Sequence, residues 1–165
     1  MAIANPKIEM FHSYFHKQTY HEGIPYLNLI KNGYTWMHGK LYKVSFIRKW
    51  GIKNDARVKY ADDSFFNSMC FELGKFATIP IAIYCWLNNS ESITRSGNIA
   101  AKDSIKDFKT AMELSIHFLR ENGVEKINHI SKTIGLFEEM KLQTNNEIII
   151  KEIDDLIEFL KDNIN

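Results

Sequence analysis

Residues 61–87 read ADDSFFNSMCFELGKFATIPIAIYCWL, and their texture changes once, at Gly74. Before the glycine, Phe66, Met69 or Cys70, and Leu73 recur at helical spacing, which predicts a helix over 64–73 closed by Gly74. Asp62 or Asp63 is its natural N-cap, because an Asp side chain accepts the orphan N–H groups of a first helical turn. After the glycine, Phe76–Leu87 is β-branched and aromatic. That predicts a buried strand, with Pro80 near its start or on an edge, where no ladder donor is needed. A helix running straight into such a strand makes this part of the chain α/β.

Upstream, Lys43–Trp50 fits a short helix with Gly51 as a left-handed C-cap. Residues 26–42 run into GYTWMHGKLYK, where Gly33 and Gly39 interrupt any regular pattern. This is a loop, and Tyr34, Trp36 and Met37 give it apolar surface to pack. Residues 7–18 (KIEMFHSYFHKQ) read as a strand ahead of a turn at Gly23–Pro25. Downstream of residue 102 the texture becomes helical. Ile105, Phe108, Met112, Ile116 and Leu119 follow a 3-4 spacing that stops at Asn122-Gly123. Ile127, Ile130, Ile134 and Phe137 repeat it, as do Ile149, Ile153, Leu156 and Leu160. Three amphipathic helices with short connectors are expected. The division is an α/β part over 1–100 and a helical extension over 101–165.

The 165 residues allow one ordinary domain with a real core, and a 45% apolar content makes the chain globular. A net charge of +1 gives no basic field to recruit nucleic acid. No run approaches the roughly 18–20 apolar residues of a membrane span, and MAIANPKIEM is not a secretory signal. A cytoplasmic protein is expected. Cys70 and Cys85 each sit in an apolar segment, where a buried free thiol is the commoner reading than a disulfide.

Four constellations bear on chemistry. Asp62-Asp63 reads as a helix cap with a second carboxylate stabilised by the helix dipole, or as a general base held at a helix start. Spacing leaves both readings open. In Trp36-Met37-His38-Gly39-Lys40, the glycine lets backbone approach a polar ligand and Trp36 offers a face for a sugar. The alternative is a turn with core Trp and solvated His and Lys. Ser92-Ile93-Thr94-Arg95-Ser96-Gly97 is a polar loop, or a grip on a diphosphate. His12, His16 and His21 invite a metal reading, but no Cys lies near and no Glu sits between them as in a metalloprotease helix. A Gly-rich phosphate loop, paired C-x-x-C and a nucleophile elbow are absent.

In order, the segments HGKLYKVSFIRKWGI, ADDSFFNSMCFELG and ATIPIAIYCWLNNSESITRSG resemble family 2 glycosyltransferases, and most of all those encoded by tailed bacteriophages. The resemblance covers roughly residues 7–97. It implies a partial GT-A-like (Rossmann-like) α/β domain lacking the N-terminal nucleotide-binding half, followed by the helical tail. No Asp-x-Asp precedes Lys40. By the same resemblance, Asp63 is the base that deprotonates an acceptor hydroxyl, with Asp62 standing where Glu is usual. Trp36, His38, Gly39 and Lys40 match the loop lining the acceptor and donor-phosphate cleft, and Arg95 matches a diphosphate contact. The implied reaction is inverting transfer from a nucleotide sugar to a hydroxyl acceptor. A divalent metal (Mn or Mg) is implied in the complete enzyme, with no ligand assignable here, and the chain reads as a fragment of such an enzyme or as half of a split one whose nucleotide-binding half is a separate chain. A non-catalytic binding or assembly module derived from the same fold is the alternative, and a purely structural domain the third.

Overall fold

A computed structural model describes residues 8–10, 19–22, 37, 40–78, 85–87 and 101–164. Its elements in chain order are β1 (Ile8–Met10), β2 (Thr19–Glu22), α1 (Val44–Trp50), α2 (Asp62–Leu73), β3 (Lys75–Thr78), β4 (Cys85–Leu87), α3 (Ala101–Glu121), α4 (His129–Lys141) and α5 (Glu147–Asp162). The described residues are mainly helical. The strands form two antiparallel pairs: β1 with β4, registering Ile8 on Leu87, and β2 with β3, registering Thr19 on Thr78.

This overturns the expected α/β, partial GT-A-like (Rossmann-like) fold. Such a fold needs parallel strands joined through helices that cover a sheet. Among the described residues every strand pairing is antiparallel, and the helices bury their apolar faces on one another. Periodicity in the sequence identified those faces correctly but not what covers them. The expected single strand over Phe76–Leu87 is described only at its two ends, as β3 and β4, and the expected 7–18 strand only at β1. The Gly23–Pro25 turn lies outside the described residues.

Each helix has a local cause. Gly51 adopts φ 68°, as α1's C-cap was expected to, and its N–H donates to Arg48 O. The Ile52 N–H then reaches Ile47 O at 3.1 Å, completing a Schellman turn that drives Ile52 into the core. Gly123, at φ 80°, ends α3 the same way, with the Val124 N–H on Leu119 O. Gly74 also ends its helix, but in extended backbone, and its reason is space. A Cβ there would lie 2.7 Å from Cys70 O and 3.0 Å from Phe46 Cζ. The Asn146 side chain caps α5, accepting from the N–H groups of Ile148 and Ile149.

Two cores result. Ile116, Leu119, Ile130, Ile153, Leu156 and Leu160 centre the first, between α3, α4 and α5. Ile52, Val58, Phe65, Met69 and Ala111 centre the second, between α2, α3 and the segment after α1. Leu73, Phe108 and Phe118 pack against both, so contacts cross the boundary drawn at residue 100. No helix among the described residues is long and apolar enough to cross a membrane.

Candidate functional site

α2 supplies one wall of the site. Asp62 and Asp63 occupy its first turn and Asn67 lies one turn beyond Asp63, on the same side of the helix. The expected capping role of the two aspartates is corrected by the geometry. Ala61 sits at the N-cap position, and no side chain of the helix makes a cap bond. The anchoring oxygens come instead from Asp107 of α3, which accepts the backbone N–H groups of Lys59 (2.8 Å), Tyr60 (2.8 Å) and Ala61 (2.9 Å). Asp62 and Asp63 are half-buried, their carboxylates not engaged in capping.

Tyr42, just before α1, faces α2. Tyr42 packs edge-on against Phe66, with ring centroids 5.3 Å apart and planes at 88°. Its hydroxyl donates to Asn67 Oδ1 at 2.6 Å and lies 3.4 Å from Met37 Sδ. Asn67 is fully buried, and Lys40, two residues before Tyr42, is half-buried. The Lys40 amine is lowered to about 8, because burial disfavours its charge more than the nearby Asp63 carboxylate favours it. Burial raises the Tyr42 phenol above its ordinary value, and negative charge on Cys70 and Asp63 pushes the same way. Burial alone lifts the free Cys70 thiol to about 12, so it is not a nucleophile at neutral pH.

Of the residues singled out from the sequence, Asp62 and Asp63 lie in the first turn of α2, and the Asp63 charge acts on the Lys40 amine. Trp36, His38, Gly39 and Arg95 lie outside the described residues, as do His12 and His16, while His21 registers with Phe76 between β2 and β3. Among the described residues no group of three or more His, Cys, Asp or Glu side chains could hold a metal ion. The described residues therefore supply no set of three protein ligands for the implied divalent ion. Sequence reading missed Tyr42 and Asn67 as partners. The available signal was Asn67 falling four residues after Asp63, on the stripe that faces the loop.

No family model, curated protein or solved structure matches the chain.

Proposed function

We propose that this chain supplies the catalytic base and acceptor side of an inverting glycosyl transfer from a nucleotide sugar. The observation carrying this reading is that the Asp63 carboxylate, in the first turn of α2, favours the charged form of the half-buried Lys40 amine. The ordered likeness of HGKLY, ADDSFFN and SITR to family 2 glycosyltransferases gives those two residues their chemistry. In this reading the Asp63 carboxylate takes the proton from an acceptor hydroxyl as its oxygen attacks the anomeric carbon. The bond from that carbon to the diphosphate oxygen breaks, and the diphosphate leaves with the electron pair. Attack opposite the leaving group inverts the anomeric centre. Lys40, still mostly protonated at neutral pH with its value at about 8, contributes positive charge beside the oxygens that become negative.

General-base assistance of this kind is worth about 10²–10⁴-fold in rate. The test is transfer of labelled sugar from a panel of nucleotide sugars to hydroxyl acceptors. The chain is assayed alone and together with a separately produced chain carrying an Asp-x-Asp nucleotide-binding half. Product that depends on Asp63 is expected. Acceptor binding without turnover in any combination would favour the non-catalytic binding module instead.

A further inference from the structure

The segment that carries Lys40 is held in an unusual way. Residues 40–42 form neither helix nor strand, and Lys43 leads into α1, its carbonyl accepting the Phe46 and Ile47 N–H groups. Leu41 is 91% exposed and Val44 58%, so the apolar neighbours do not anchor the segment. Tyr42 does. Its ring meets Phe66 edge-on and its hydroxyl donates 2.6 Å to Asn67 Oδ1, so one side chain contacts two adjacent positions of α2. An O–H···O bond of that length is at the short, strong end of the ordinary range. Asn67 is 0% exposed. Its oxygen faces the segment.

We propose that Tyr42 and Asn67 are positioning residues, whose hydroxyl–amide bond fixes the 40–42 segment on α2 and so sets the Lys40 amine against the Asp63 carboxylate. The inference rests on the reading in which Lys40 and Asp63 serve one reaction. The geometry behind it is independent of that reaction. Lys40 lies two residues before the hydrogen-bonded tyrosine, and Asp63 lies one helical turn before the asparagine. A shift of the tyrosine would carry the amine with it, whereas the carboxylate stays with the helix. Among the described residues, Asp63 acts on Lys40, and Asp63 and Cys70 act on Tyr42.

The test reads Lys40 directly. Lysines of the intact chain are reductively methylated with ¹³C-formaldehyde, and the Lys40 resonance is assigned by its loss in Lys40→Arg and followed against pH by NMR. In the unaltered chain it should titrate near 8. In Tyr42→Phe, which keeps the ring and removes the hydroxyl, the midpoint should rise by about one unit or more toward the ordinary value of about 10.4 as the amine returns to water. Asn67→Ser removes the same bond from the helix side and should give the same rise. Circular dichroism confirms that each variant retains its helices. A lowered unfolding midpoint with Lys40 still titrating near 8 would show a merely structural bond and overturn the proposal. Failure of both variants to fold would overturn it too, by making the bond a condition of folding. Neither donor, acceptor nor turnover enters this measurement. A transfer assay that ruled out the glycosyltransferase reading would leave the Lys40 result standing, and the reverse also holds.

Discussion

The Asp107 carboxylate accepts the backbone N–H of Ala61 at 2.9 Å, so the entry of α2 is held by a residue of α3. The same two oxygens accept from Lys59 and Tyr60. Three consecutive amides converging on one carboxylate form a small anion nest. The first turn of α2, with Asp62 and Asp63 in it, is thereby tied to the helical core.

Asp107→Ala should therefore destabilise the chain well beyond an ordinary surface change. Hydrogen bonds to a charged acceptor are worth about 1.5–3 kcal/mol each in mutational series, and they are not additive when they share one acceptor. A loss of about 2–4 kcal/mol is expected in urea unfolding, at unchanged m-value. Asp107→Asn keeps one acceptor oxygen and should lose less. Equal, small losses for both would mean that water replaces the carboxylate.

Glu72 does the corresponding task for α4. Its side chain, 2% exposed, accepts the His129 N–H at 2.9 Å and the Asn128 amide at 3.1 Å, and lies 3.0 Å from His129 Nδ1. Glu72→Ala leaves the donors of His129 and Asn128 without their acceptor, a change that typically costs about 1–3 kcal/mol for each buried group left unsatisfied. Hydrogen exchange should then show the first turn of α4 opening before its last turn. Uniform protection along α4 in the variant would argue against this.

Glycine substitutions separate space from conformation. Gly74→Ala would push a Cβ to 2.7 Å from Cys70 O and 3.0 Å from Phe46 Cζ, and the backbone oxygen has no rotamer to give. A loss of about 1–3 kcal/mol is expected, the usual range for overpacking. Gly135, inside α4, has open space around its Cβ position. Gly135→Ala should gain about 0.5–1 kcal/mol from helix propensity. Thermal unfolding of the two variants should move in opposite directions.

The helices were legible in the sequence because their signals are local. A 3-4 spacing marks a buried stripe, and Gly51, Gly74 and Gly123 stop the runs they were expected to stop. What was not legible is non-local. Asp62 and Asp63 looked like caps because nothing within a few residues competes with them, yet the anchoring carboxylate is Asp107, brought in only when α3 packs. The pairing of Tyr42 with Asn67 spans 25 residues and has no periodic signature. The fold class failed for a related reason. The strand-like texture of residues 7–18 and 76–87 marks extended backbone but not its pairing, and where strands are described they pair antiparallel, outside any parallel sheet. Of the expected site, Trp36, His38, Gly39 and Arg95 lie outside the described residues, and the bond from Tyr42 to Asn67 had no local signal.

Lys40 should make stability depend on pH with a definite sign. Its folded value of about 8 lies below the unfolded 10.5, so between those values the unfolded chain binds more protons. Stability on this residue's account rises with pH through that window, and the cost of burying the charged amine is fully present below about 8. Lys40→Met removes that cost, so it should be more stable than the unaltered chain at pH 7, by a margin that shrinks as pH approaches 10. Cys70 works in the opposite sense, since its folded value of about 12 exceeds its unfolded one. It is present in both proteins, so comparing their denaturant midpoints isolates Lys40. A margin that stays constant from pH 7 to 10 would contradict the prediction.

Asp63→Asn decides between a base and a bystander. Because Ala61 occupies the cap and neither aspartate makes a cap bond, Asn at 63 forfeits no such hydrogen bond. It loses a favourable charge at the positive end of α2, worth about 0.3–1 kcal/mol, as does Asp62→Asn, and in addition its attraction for Lys40. Both variants should melt within a few degrees of the unaltered chain. Their turnover should not match. In a transfer-competent assembly, Asn at 63 cannot take the acceptor proton, so the rate should fall about 10²–10⁴-fold, equivalent to roughly 3–5 kcal/mol of barrier. Asp62→Asn keeps the Asp63 carboxylate and should fall much less. Lys40 supplies a second reading without turnover. Removing the Asp63 charge takes away the attraction that partly offsets burial, so the Lys40 amine should titrate lower still in Asp63→Asn. A lowered Lys40 midpoint with transfer intact would leave Asp63 as a neighbour of Lys40 and not the base.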